Sequence, residues 1–162
     1  MKKLIVFMFL IVLFGSCAKE GCNDPKAKNY DSSITKDDGT CLYIVLGDWE
    51  LQTYILNGDD LTSTFLDYII HLYSDSSYLV EYLLAGDSIY INTRGTFTLN
   101  VSHTEFSYEN SEINTNDGNG WTPAISTITY SVNSLTYETL NLSLISSSDP
   151  NLSSVEVIMS KI

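Results

Sequence analysis

From Gly47 onward the chain repeats apolar and polar residues with a period of two. In Trp49-Glu50-Leu51-Gln52-Thr53-Tyr54-Ile55, the residues Trp49, Leu51, Thr53 and Ile55 fall on one face and Glu50, Gln52 and Tyr54 on the other. Tyr78, Val80, Tyr82 and Leu84 alternate in the same way, as do Phe97, Leu99 and Val101, then Phe106 and Tyr108, then Ile128, Tyr130 and Val132. Leu140, Leu142 and Leu144 mark a further segment, and Val155, Val157 and Met159 the last. A two-residue period is that of a half-buried β-strand, and no 3.6-residue period persists beyond two turns. Short polar stretches rich in Asn, Gly, Asp and Ser separate the segments, as at Asn57-Gly58-Asp59-Asp60, Ser74-Asp75-Ser76-Ser77 and Ala85-Gly86-Asp87. Their chemistry is that of turns. Tyr is abundant, with 11 residues against 6 Phe and 2 Trp, which suits strands rather than helices.

The pattern predicts an all-β domain from residue 45 to 162, built of about eight short antiparallel strands. No helix is long enough for a parallel crossover. A sheet of that size leaves two unpaired edges, and closure into an up-and-down barrel removes them. The longest polar stretch, Asn110 to Pro123, reads as a loop, and Ser146 to Ser154 as another.

The first 44 residues have a different character. Met1-Lys2-Lys3 is basic, Leu4 to Phe14 is uninterrupted apolar sequence, and Leu13-Phe14-Gly15-Ser16-Cys17 ends it. The apolar run is short for a membrane span, which needs roughly 20 residues, and suits a secretory signal. Small residues directly before Cys17 resemble the lipobox of bacterial lipoproteins. That resemblance implies removal of residues 1–16 and acylation of Cys17, with palmitate among the acyl chains. Two or three chains anchor a protein firmly, where one binds only marginally. In that family an Asp after the cysteine often marks retention in the inner membrane. Ala18 stands there instead, so the resemblance implies an outer-membrane or cell-surface location.

Residues 17–44 then read as a lipidated, stapled tether. With Cys17 lipidated, Cys22 and Cys41 remain, and in an exported protein a disulfide between them is the default. A bridge over such a loop is worth about 3 kcal/mol in the chain-entropy account. Gly21 to Cys41 resembles a cysteine-bracketed module of secreted and surface proteins, Gly-Cys-x-Asp-Pro-x-Ala-x-Asn-Tyr followed by Asp-Asp-Gly-Ser/Thr-Cys. Asp24, Asp31, Asp37 and Asp38 offer hard oxygen ligands that could converge on Ca²⁺. Their spacing is not that of an EF-hand, and Asp also closes turns. No other metal or cofactor is expected.

Charge excludes one class of partner. The chain has 8 basic and 20 acidic residues, a net charge of −12, and loss of Lys2 and Lys3 with a signal makes it more acidic. Arg94 is its single arginine. Nucleic acid recognition needs clustered Lys and Arg, so nucleic acid is not a partner. No nucleophile elbow, zinc-protease helix, P-loop or dinucleotide fingerprint is present. His71 and His103 are isolated, and no enzymatic activity is expected.

Within the β-domain, Gly47-Asp48-Trp49 at the first strand is similar to the Gly-x-Trp motif of lipocalins and their bacterial relatives. Leu72 to Tyr78 resembles that family's Phe-x-x-Asp-Gly-x-Tyr hairpin, with Ser76 where Gly is usual. Arg94-Gly95-Thr96-Phe97 resembles a later strand opening, and Val155 to Lys161 the terminal strand. The resemblance implies a calycin-type barrel whose floor Trp49 closes, with Lys161 able to stack on Trp49 by a cation–π contact. It further implies a small apolar or amphipathic ligand in the barrel. Tyr78, Val80, Tyr82, Phe97, Phe106, Tyr130 and Leu142 are the candidate lining residues. The alternative is a protein-interaction module that inhibits a cationic hydrolase or serves as an accessory subunit of an outer-membrane complex.

Overall fold

The structure, a computed structural model, describes residues 18–162. Cys17 and the signal-like segment lie outside the described residues. The chain divides after Leu42 into two compact units.

The first unit contains two short parallel strands, β1 (Glu20–Gly21) and β2 (Lys36–Asp37). The Cys22–Cys41 disulfide brackets it. Cys22 and Ala27 are its buried apolar residues, so apolar burial alone would not order it. Polar contacts supply the rest: Asn29 donates to the Thr40 carbonyl at 2.7 Å and accepts from the Leu42 N–H at 2.7 Å.

The second unit is a closed antiparallel barrel of eight strands with up-and-down topology. Its staves are β3 (Gly47–Leu56), β5 (Phe65–Leu72), β6 (Ser77–Leu84), β7 (Ile91–Leu99), β8 (Glu105–Asn114), β9 (Thr122–Leu135), β10 (Thr139–Ser147) and β11 (Val155–Lys161). The two-residue β4 (Asp59–Asp60) folds back on β3. A 3-10 turn, Thr62–Thr64, leads into β5. Each stave pairs with the next in sequence, and β11 pairs with β3 from Val155↔Leu56 to Lys161↔Trp49. That last pairing removes the edges an open sheet would expose. Among the described residues no helix is long and apolar enough to cross a membrane.

The end of the barrel at Trp49 is solid. Trp49 is fully buried, and Leu72, Tyr78, Phe97, Phe106, Leu140 and Met159 are each less than a tenth exposed. The indole N–H donates to the Val45 carbonyl at 2.6 Å. Lys161 Nζ lies 5.3 Å from the Trp49 ring centroid and donates to the Leu46 carbonyl at 2.8 Å. Gly47 makes room for this arrangement. Its φ is +120°, and a Cβ there would lie 3.0 Å from Lys161 Cε, so the residue two before Trp49 must lack a side chain.

Two of the barrel's register shifts overturn readings made from the alternation. On β3, Ile158 faces Thr53 while Met159 faces Leu51, leaving Gln52 as an extra residue. The phase inverts there. Trp49 and Leu51 point inward as expected, but beyond the bulge Tyr54 and Leu56 pack against the core in place of Thr53 and Ile55. On β8, Gly95 faces Asn110 while Arg94 faces Glu112, so Ser111 is the extra residue. Its hydroxyl donates to the Arg94 carbonyl at 3.0 Å. Asn110 to Asn114 and Thr122–Pro123 are therefore strand, not loop; only residues 115–121 connect them. Likewise Ser146 and Ser147 belong to β10.

Gly95 sits where this bulge presses closest. A Cβ there would fall 1.8 Å from the Glu109 carbonyl oxygen, a clash with backbone that no rotamer change relieves. Ser76, in the turn between β5 and β6, adopts φ +66°, the left-handed conformation that Gly takes without cost. Gly95→Ala is expected to destabilise the barrel by about 3 kcal/mol or more, by the large-effect route of backbone strain. Ser76→Gly is expected to be neutral to stabilising by up to about 1 kcal/mol, since relief of a left-handed side chain opposes the added chain entropy. Urea denaturation followed by tryptophan fluorescence measures both.

Candidate functional site

The inward phases of β5 to β11 and the inverted end of β3 leave a chamber of about 290 Å³ in the half of the barrel away from Trp49. Ile70, Val80, Phe106, Ile128, Leu142 and Met159 form its inner end. Phe65, Leu84 and Leu152 ring the other end. Tyr54, Tyr68, Tyr82, Tyr108 and Tyr130 line the wall between, with Thr93 and Asn110. Among the described residues, no charged side chain lines the chamber.

The tyrosine rings support one another. Phe65 meets Tyr54 and Tyr68 edge-on, each at 5.2 Å between centroids, and Tyr68 stacks on Tyr82 at 5.8 Å. Tyr108 lies 5.9 Å from Tyr130. Offset and edge-on pairs of this kind each add about 0.5–1.5 kcal/mol beyond area burial, so the wall is held in place without a bound ligand. The hydroxyls are less well served. Tyr108 and Tyr130 share a long contact of 3.4 Å. Among the described residues, no hydrogen bond engages the hydroxyls of Tyr54, Tyr68 or Tyr82. None of these atoms is sealed from solvent; the one sealed and unpaired side-chain polar atom among the described residues is Asn92 Oδ1. The three hydroxyls thus face space that water or a ligand can occupy.

Of the residues expected to line the site, Val80, Tyr82, Phe106, Tyr130 and Leu142 do so. Phe97 does not. It stacks on Phe106 at 5.7 Å on the side of Trp49 and is filler of the solid end. Tyr78 does not line the chamber either: its hydroxyl donates to Asn110 Oδ1, and it forms part of an outer groove. Tyr54, Tyr68 and Tyr108 line the chamber without having been singled out by the sequence. Tyr108 follows the alternation set by Phe106 and was open to recognition. The alternation puts Tyr54 on the outer face, because the β3 bulge leaves no mark in the pattern.

The outer groove, of about 630 Å³, crosses β6 to β9 and includes Tyr73, Leu79, Arg94, Trp121 and Ile125. Arg94 is outward, as its strand phase predicts, but it is tied down. Its guanidinium stacks 4.1 Å from the Trp121 ring centroid and pairs with Glu112 at 2.7 Å. Asn110 borders both groove and chamber, and its amide nitrogen donates to Ser126. Elsewhere on the barrel, His71 lies between Asp48 and Glu81, with ring nitrogens 2.8 and 3.1 Å from their carboxylates. His103 occupies a turn at φ +55°.

In the first unit the four aspartates do not converge. Asp24, Asp31, Asp37 and Asp38 each accept the backbone N–H two residues on, from Lys26, Ser33, Gly39 and Thr40. These are Asx turns. The Lys19 ammonium, with Ser33, also holds the Asp31 carboxyl well below its usual range. Among the described residues no group of three or more His, Cys, Asp or Glu side chains is placed to hold a metal ion.

No protein-family model matches this chain, and none of the curated proteins matches it.

Burial pushes the phenols of Tyr68 and Tyr108 well above their ordinary value, and those of Tyr54, Tyr78, Tyr82 and Tyr130 upward too. Above pH 10 the unfolded chain loses these protons while the folded chain keeps them. The unfolded state then binds fewer protons, so stability falls as pH rises, by about 1.4 kcal/mol per pH unit for each such tyrosine. Below that pH the contribution is flat. Alkaline titration at the phenolate absorbance is expected to show these tyrosines ionising together, in a step that coincides with loss of the barrel's circular dichroism.

Proposed function

We propose that this protein is a lipid-anchored, lipocalin-like binding protein that holds a small apolar or amphipathic ligand in the barrel chamber. The observation that carries the reading is the chamber itself. A barrel of eight strands can be filled by its own side chains. Here one half is filled, around Trp49, and the other half retains a chamber with unpartnered hydroxyls in its wall. A concave, mostly apolar space with a few polar groups is the usual form of a small-molecule site. The closure of the solid end by Trp49 and Lys161 supports kinship with lipocalins in architecture. Anchorage through Cys17 at the outer membrane or cell surface rests on the sequence before Ala18. We read the role as binding: among the described residues the chamber is lined by neutral side chains, with no His, Cys, Lys or carboxylate among them.

Binding is tested with 1-naphthylamine, a small fluorophore that is uncharged at neutral pH and brightens in apolar sites. Saturable enhancement is expected, and Ile128→Trp and Thr93→Phe, which fill the chamber from different strands, are each expected to weaken it by at least tenfold. Enhancement indifferent to both substitutions, in variants that retain native circular dichroism, would place the probe elsewhere. Anchorage is tested separately: Cys17→Ser is expected to abolish palmitate incorporation and shift the protein from the membrane to the soluble fraction.

A further inference from the structure

The chamber wall points to the class of ligand. Accepting that the chamber is a ligand site, we infer that its occupant is an uncharged ring compound bearing a hydroxyl or carbonyl group, and not a fatty acid, another carboxylate or an amine.

Size comes first. A space of about 290 Å³ is close to ten times the volume share of one water, which admits a compact molecule on the order of ten to fifteen non-hydrogen atoms. A long acyl chain exceeds that. Shape agrees, since the wall is made of flat rings, and planar groups fit between edges and faces of Tyr54, Tyr68 and Tyr82 by offset or edge-on contact.

Charge decides the rest. An ion taken from water into an apolar space is strongly disfavoured unless an opposite charge receives it. The chamber offers none: among the described residues neither a basic nor an acidic side chain lines it. A carboxylate would also feel Asp149, whose field reaches Tyr54, within a chain of net charge −12. An ammonium would find ring faces and the favourable field of Asp149, but among the described residues no carboxylate lines the chamber to replace its lost hydration. The polar groups that are available are neutral. Each of the hydroxyls of Tyr54, Tyr68 and Tyr82 can both donate and accept, and none has a hydrogen-bond partner among the described residues. Asn110, by contrast, already serves Tyr78 and Ser126. A hydroxyl or carbonyl on the ligand replaces the water that these phenols would otherwise hold, without the cost of stripping an ion.

The test uses three probes on one ring system: naphthylmethanol, naphthoate and naphthylmethylamine, titrated into purified protein at neutral pH by calorimetry. Naphthylmethanol is expected to bind at least tenfold tighter than either charged relative. Tyr68→Phe and Tyr82→Phe, which keep the rings, are expected to reduce that lead by threefold or more. Equal or tighter chamber binding of naphthoate or naphthylmethylamine overturns the ligand class while leaving the chamber as a binding site. A lead that persists unchanged in the two Phe variants overturns the role given to the hydroxyls. If none of the probes binds saturably, or if Ile128→Trp leaves all three affinities unchanged, the chamber is not a ligand site and the inference falls with it.

Discussion

The barrel depends on the pairing of its last strand with its first. β11 returns to β3 over the full length from Val155 to Lys161, and the two strands are stitched at one end by Trp49, Lys161 and Gly47. The lysine is shared three ways, between the indole face, the Leu46 carbonyl and the Tyr137 ring 5.5 Å away. Its charge therefore stays at the rim while its stem covers the apolar floor. Without that closure, β3 and β11 would expose unpaired backbone, and the interior would open along its side.

Closure at one end fixes where ligand space can exist. Aromatic and aliphatic side chains from six staves meet below Phe106 and leave no room. Above it the lining changes to tyrosine, whose rings pack on their neighbours edge-on and by stacking, while no hydrogen bond among the described residues engages the hydroxyls of Tyr54, Tyr68 and Tyr82. The two halves thus differ in chemistry as well as in density. The solid half is a hydrophobic core in the ordinary sense. The tyrosine half is rigid at the ring level and unsatisfied at the hydroxyl level, and the second property is what makes it a candidate site.

The first unit follows another logic. Its apolar content is too small to order it, so covalent and local polar constraints take over. The disulfide shortens the unfolded chain's freedom, and four Asx turns fix successive corners. The same aspartates that resemble a calcium ligand set in sequence are spent on backbone N–H groups. Each finds its partner two residues away, a local contact that needs no long-range folding and competes directly with metal coordination.

The sequence by itself determined the fold class, the turns around Gly58, Asp75 and Gly86, the Cys22–Cys41 pairing and the place of Gly47, Trp49 and Lys161 at one end of the barrel. Those features are written in local chemistry: a two-residue period, residues that tolerate left-handed backbone, two cysteines bracketing one short polar segment, and a short motif before a strand. Only the tertiary structure decided which residues face the chamber. Gln52 and Ser111 look like ordinary strand residues, yet each is the extra residue of a bulge, because two residues on one strand oppose one on the next. The count on the partner strand sets that, not the residue itself. The Gln52 bulge turned Tyr54 inward, and the Ser111 bulge carried β8 through a stretch that reads as loop. Gly95 resembled a motif position in sequence; its need for a bare Cα came from the Glu109 carbonyl, which only strand pairing brings within reach.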